Sequence, residues 1–195
     1  MKICDVATFA WENSVEIEFG NRASWEKDTF TEKWFQRNYP DTWKKRGASG
    51  LYWFLLRVKE IDDLKRITTP NDLPKKGTKI AENTVENIRI FQENLCQPDS
   101  DGLLVIYNGH EQNVFARIRS HFALNNDRTT AIGFEKYNLS NYDLRVRIFH
   151  HELPMDQLSD EERLFVQNLL KEKAGREAVE SSWRAYNGWP VLCKR

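Results

Sequence analysis

Cysteine is scarce and odd in number: Cys4, Cys96 and Cys193 are the only three. An odd set at no metal-ligand spacing argues against a disulfide framework and against a structural zinc site. Free thiols in a reducing compartment are the expectation. No apolar run reaches the ~20 residues that a membrane-spanning helix needs. The opening stretch MKICDVATFAWENSVE carries acids too early for a secretion signal. The expected compartment is therefore the cytoplasm, with no membrane partner. Charge of one sign is missing as well, since 29 Lys+Arg balance 29 Asp+Glu. Bulk charge offers a nucleic acid no general attraction, although a local basic cleft on a neutral protein stays open. No repeat, low-complexity segment or linker divides the 195 residues, which read as one domain, 1–195.

What is present is ordinary for a globular chain, 40% apolar and 30% charged, with seven tryptophans as rigid anchors. The most informative stretch is 103–122, LLVIYNGHEQNVFARIRSHF. Leu103, Leu104, Val105 and Ile106 form an apolar, partly β-branched run that reads as a buried strand ending at Tyr107. Asn108-Gly109 reads as a turn, and Asn113 as a helix N-cap. Val114, Phe115, Ile118 and Phe122 then fall on one helical face. Arg117 and His121, four residues apart, project from one side. Strand, turn and helix together direct Tyr107, His110, Arg117 and His121 towards one patch. A second stretch of the same kind is Gly50-Leu51-Tyr52-Trp53-Phe54-Leu55-Leu56.

Gly50-Leu51-Tyr52 resembles the first half of the signature of GIY-YIG nucleases, and Ile106-Tyr107-Asn108-Gly109 the second half. Arg117 follows Tyr107 by ten residues, the family's usual spacing. The resemblance covers most of 50–193, and is most like the type II restriction endonucleases. It implies an α/β (α+β) fold: a small, mainly antiparallel sheet of about three motif strands flanked by helices. Residues 1–49 are then an N-terminal extension. Residues 59–101 are an insertion where the family usually has a short hairpin, a candidate for substrate recognition or a packed brace.

The rest of the chain yields elements. Val15, Ile17 and Phe19 alternate with Glu16 and Glu18, as in a half-buried strand. Residues 24–46 interleave aromatics with charges; such a helix buries an aromatic face or grips a nucleic-acid strand by stacking. In the insertion, Val85, Ile88, Phe91 and Leu95 fit one helical face. Residues 123–142 are loop-like, with a short strand at 130–134. Residues 143–150 alternate Leu144, Val146 and Ile148 with Arg145 and Arg147, a strand with one apolar and one basic face. Ser159 to Glu162 match a capping box, before a helix that buries Leu164, Phe165, Leu169 and Leu170 and stops at Gly175. A last helix covers about 176–186. His150 and His151 are adjacent on a strand and point to opposite faces, so they are left as structural or surface residues.

The resemblance also implies chemistry. Phosphodiester hydrolysis needs an activated water, charge on the phosphate and usually a divalent metal. Tyr52 stands at the family's water-activating position. A phenol titrates near about 10, so it needs cationic neighbours, and His110, Arg117 and His121 are available. Arg117 would clamp the scissile phosphate through its forked donors, with Tyr107 polarising it. His110 would protonate the leaving oxygen or contact phosphate, and His121 matches a His four residues after the Arg in some restriction members. Glu180, with Glu177 as rival, stands at the metal position, and one carboxylate plus water suits Mg2+ (or Mn2+). The family's Asn after the proline is missing: Leu192 or Cys193 takes its place, with Asn187 ahead of Pro190. The expected function is a Mg-dependent endonuclease cutting double-stranded DNA, site-specific and of restriction type, with a homodimer as one assembly open to it. The alternatives are a DNA-repair or structure-specific nuclease, and an inactive nucleic-acid-binding module on the same scaffold.

Overall fold

A computed structural model describes residues 1–123 and 130–194. The part of the loop reading that falls on 124–129 lies outside the described residues. The elements in chain order are α1 (Ile3–Glu12), β1 (Val15–Gly20), α2 (Glu32–Asn38), α3 (Pro40–Lys44), β2 (Gly50–Arg57), α4 (Ile80–Phe91), β3 (Leu103–Glu111), α5 (Val114–Ala123), β4 (Leu144–His150), α6 (Asp160–Lys171) and α7 (Lys173–Asn187). The strands form one antiparallel sheet in the order β1-β4-β2-β3, with helices around it.

The mixed α/β fold with an antiparallel sheet matches expectation, but the sheet has four strands rather than three. The additional strand is β1, the alternating segment of the N-terminal extension. Its acids have a reason to be there. Arg145 of β4 holds Glu16 at 2.6 Å and Arg147 holds it at 2.9 Å, so the basic face of β4 is neutralised across the strand pair.

β2 is central and buried at every position except Arg57, which is why its sequence is apolar without alternation. Its side chains still divide by the period of two. Tyr52 and Phe54 meet α5 through His121 and Phe122. Trp53 faces the other way, against Trp11 of α1 and Trp183 of α7. Each fully buried ring such as Phe54 or Phe122 contributes about 1.5–3 kcal/mol through burial.

In 24–46 the rings are packed rather than presented. Phe30, Trp34, Phe35 and Trp43 are buried, against Phe19, Phe115 and Phe122. That is the packing alternative of the two sequence readings, and those rings cannot stack on bases.

Five local expectations are corrected. Asn108-Gly109 is not a turn, because β3 runs on to Glu111. Gly109 pairs with Tyr52 across the strands, and a Cβ there would lie 2.4 Å from the Tyr52 hydroxyl. The glycine makes room for a ring rather than bending the chain. Gly175 does not stop a helix; it lies buried in α7, where a Cβ would meet the Leu169 carbonyl, and the break falls at Glu172. On α6 the buried residues are Val166 and Leu170, while Leu164 and Phe165 are exposed. On α4 the buried face is Ile80, Thr84 and Asn87, not Val85. Asn87 Nδ2 donates to the carbonyls of Val191 at 2.7 Å and Cys193 at 3.2 Å. The insertion thus braces the C-terminal tail through Asn87, while Thr84 is inside with its hydroxyl donating to the Ile80 carbonyl of its own helix at 2.8 Å. Residues 130–134 contribute only an isolated bridge, Gly77 with Ala131, before a short 3-10 turn.

Candidate active site

Despite the insertion, β2 and β3 pair directly. The pairing places Tyr52 and Tyr107 with ring centroids 6.1 Å apart and nearly parallel. Asn113 caps α5, its Oδ1 accepting from the Ala116 N–H at 2.9 Å, and the helix then runs back over the strand pair. Tyr52, Tyr107, His110, Arg117 and Glu180 line a single open cleft of about 680 Å³. Four elements contribute: β2, β3, α5 and α7.

His121 belongs to this cluster but not to the cleft wall. It is buried behind Tyr52, with its Nε2 3.1 Å from the Tyr52 hydroxyl. The backbone N–H of Ile132 donates to His121 Nδ1 at 3.3 Å. That assigns the ring proton to Nε2. Burial first, and then the charge of Arg117, push the imidazole well below its ordinary pKa, so the ring is neutral. It therefore donates to the Tyr52 oxygen. It cannot receive that phenol's proton through the same atom, and what it offers the Tyr52 oxygen is a donated hydrogen bond.

Arg117 is held by its flank: Nη2 donates to the Thr130 carbonyl at 2.8 Å and Nη1 to Ser120 Oγ at 3.3 Å. Its charge favours the ionised form of both phenols, but burial is the larger influence. With the neighbouring Tyr107 adding to it, burial holds Tyr52 well above the ordinary value for a phenol. Tyr52 is thus a neutral phenol.

On the opposite wall, Glu180 is mostly buried, and its ion-pair partner is Arg184, one turn along α7. Arg184 is anchored in turn: Nε donates to Asn108 Oδ1 at 2.8 Å, and the guanidinium lies 4.6 Å over the Trp189 ring. Burial raises the Glu180 carboxyl above its ordinary value, against the opposing pull of Arg184. The second oxygen of Glu180 faces His110 Nε2 at 3.6 Å. His110 Nδ1 is buried without a hydrogen-bond partner among the described residues. Burial, then the charge of Arg176, lower the His110 pKa. Glu177 is half exposed, paired with Lys173 at 3.5 Å and 3.9 Å from His110 Nε2. Of the two candidates, Glu180 is the one that lines the cleft.

A divalent cation fits this corner in one specific sense. A buried carboxylate whose ionisation is opposed by burial gains from a second positive charge, and Mg2+ is held by few carboxylates with much of its water retained. Among the described residues no group of three His, Cys, Asp or Glu forms a complete protein cage, so a cation here would rest on Glu180 and solvent.

Asn187 does not replace the missing family Asn. Its Nδ2 caps the Trp183 carbonyl at 2.9 Å, away from the cleft. Leu192 and Cys193 are buried in a turn against the edge of β3, with the Leu192 N–H on the Ile106 carbonyl at 2.8 Å. Sequence reasoning missed Arg184 and Asn108. The signal for Arg184 was its i,i+4 spacing from Glu180. Asn108 gave none, because its partner is set by tertiary packing.

No family model, curated protein or solved structure matches the chain. No helix among the described residues is long and apolar enough to cross a membrane.

Proposed function

We propose that the chain is a divalent-cation-dependent DNA endonuclease of the GIY-YIG kind, hydrolysing phosphodiester bonds in double-stranded DNA at specific sites. The observation that carries the reading is the convergence of Tyr52, Tyr107, Arg117 and Glu180 on one cleft, with His121 Nε2 on the Tyr52 hydroxyl. These residues come from distant parts of the chain, and a packed core has no need of an arginine and a glutamate facing two phenols across open space.

Arg117, already held in place, presents positive charge to a phosphate. Once the Tyr52 phenol has given its proton to solvent in the open cleft, the phenolate accepts the proton of the attacking water, and His121 Nε2–H with Arg117 stabilises that phenolate. Tyr107 flanks the same phosphate. A neutral His110, beside Glu180, is placed to hydrogen-bond the departing oxygen. Glu180 would hold Mg2+ or Mn2+, which supplies charge neutralisation and a more acidic water.

A second reading has one observation in its favour. Arg184 already neutralises Glu180, as in a module that binds DNA without cutting it. Incubation of the chain with plasmid DNA, with and without Mg2+, separates the two. Discrete Mg-dependent fragments support the restriction-type reading, and a smear supports an unspecific nuclease. Bound but intact plasmid supports the binding module.

A further inference from the structure

The insertion does more than brace the tail. With the end of α7 it walls a second cavity of about 540 Å³, within the roughly 300–1,000 Å³ of small-ligand sites. One side is the Phe91–Trp189 pair, stacked at 4.8 Å and 11°. Another is Tyr186, on the last turn of α7 and 72% exposed. Asn94 and Asn187 complete the rim with Glu93 and Ser181.

The bracing role accounts for part of this. Trp189 and Leu95 form a bridge, and the Trp189 N–H donates to the Asn94 carbonyl at 2.7 Å. It does not account for an exposed tyrosine beside an open aromatic cavity. The exposed Tyr186 ring beside Asn94 and Asn187 matches a nucleobase, with a face to stack and an edge of donors and acceptors, while Trp189 is already covered by Phe91 and the Arg184 guanidinium. A bare phosphate would find no aligned cluster of cations there. The cavity is also next to the candidate active site. Arg184 lines it and ion-pairs with Glu180 of the first cleft. Glu180 and Tyr186 lie on one helix, separated by about 9 Å of rise.

We infer that this second cavity is a nucleobase subsite, taking an unstacked base of the substrate strand near the cut, with Tyr186 as its stacking platform. The inference rests on the nuclease reading and adds that the substrate is engaged with a base out of the helical stack. A base already unstacked enters without the cost of extrusion, so single-stranded DNA is the direct probe.

The test uses the full chain in EDTA, where no cleavage occurs, and fluorescence anisotropy of labelled oligothymidine (dT12) and of an abasic 12-mer with the same backbone. Wild type is expected to bind dT12 more tightly than the abasic strand. Tyr186→Ala should weaken dT12 binding about tenfold and leave abasic binding unchanged, while Tyr186→Phe stays within about twofold because it keeps the ring. The exposure of Tyr186 means these variants fold, and matched melting curves check it. Equal affinity of wild type and Tyr186→Ala for dT12, or of wild type for both strands, overturns the subsite and leaves the nuclease reading standing. Absence of any binding to dT12 and to duplex DNA overturns both.

Discussion

Tyr52 and Glu180 face the same cleft from opposite walls, but their surroundings are built differently. The Tyr52 wall is locked by strand register. Gly109 yields to the ring, His121 donates from behind in one assigned tautomer, and the Ile132 backbone fixes that tautomer. The Glu180 wall is one helix held by a tail. Arg184 reaches Glu180 from the next turn, is aligned by Asn108, and lies on Trp189, which the insertion braces. The first wall is complete without a ligand. The second holds a carboxylate that burial pushes towards its neutral form against the pull of Arg184. The Tyr52 wall is fixed by strand pairing and a buried ring, and the Glu180 wall by side-chain contacts between one helix and the tail.

If that contrast is right, the largest loss comes from the Glu180 wall. Glu180→Gln removes charge and little volume, and should take cleavage below detection while duplex binding by anisotropy is retained. Glu177→Gln, at an exposed ion pair, should stay within about twofold. Reversal of the two would move the cation site one turn along α7.

Next is the guanidinium between the walls. Arg117→Lys keeps the charge and loses the fork. Single-turnover rates should fall about 10²–10³-fold, the scale for losing one oriented donor at developing charge. A rate near wild type would remove Arg117 from the site.

A smaller effect is expected behind the complete wall. His121→Ala deletes the N–H that favours the Tyr52 phenolate, so the Tyr52 pKa rises further. The alkaline-rising limb of the pH–rate profile should move to higher pH, with about a tenfold loss near neutrality. A limb that stays in place would mean that His121 only packs. A shift to lower pH would contradict the tautomer.

The smallest effect concerns stability alone. His150 is buried, its Nε2 has no hydrogen-bond partner among the described residues, and burial lowers its pKa from about 6.5 to about 4. The unfolded chain therefore binds a proton that the folded chain refuses between those values. Stability is full above about 6.5 and declines as pH falls towards about 4. Melting temperatures should fall over that window in wild type, and less steeply in His150→Gln. Equal slopes would mean that other groups carry the acid sensitivity.

The same contrast governs what could be read from the amino acids. Tyr52, Tyr107 and Arg117 were legible because each lies in a strand or helix whose local pattern fixes its direction. The pairing of β2 with β3 then follows from two apolar runs, whatever lies between them. Gly109 was misread as a turn because its reason, a ring on the partner strand, is not local. Val85 was placed on the inner face of α4, where Thr84 and Asn87 lie instead, because a polar residue turns inward when it has a bond to make there, and Asn87 bonds the far end of the chain. Leu164 and Phe165 were placed inside although α6 buries the adjacent face through Val166 and Leu170. Tertiary demand overrides periodicity wherever a segment's partner is distant, and the Glu180 wall consists almost entirely of such segments.

The central claim is that the Tyr52 hydroxyl does chemistry rather than packing. The direct measurement is single-turnover cleavage of a cognate duplex by Tyr52→Phe beside wild type, at saturating protein and with melting curves matched. The substitution keeps the ring and its burial and deletes one oxygen. The account predicts an equally stable protein that binds DNA normally and cuts at least ~10²-fold more slowly. Wild-type cleavage by a folded Tyr52→Phe would contradict it.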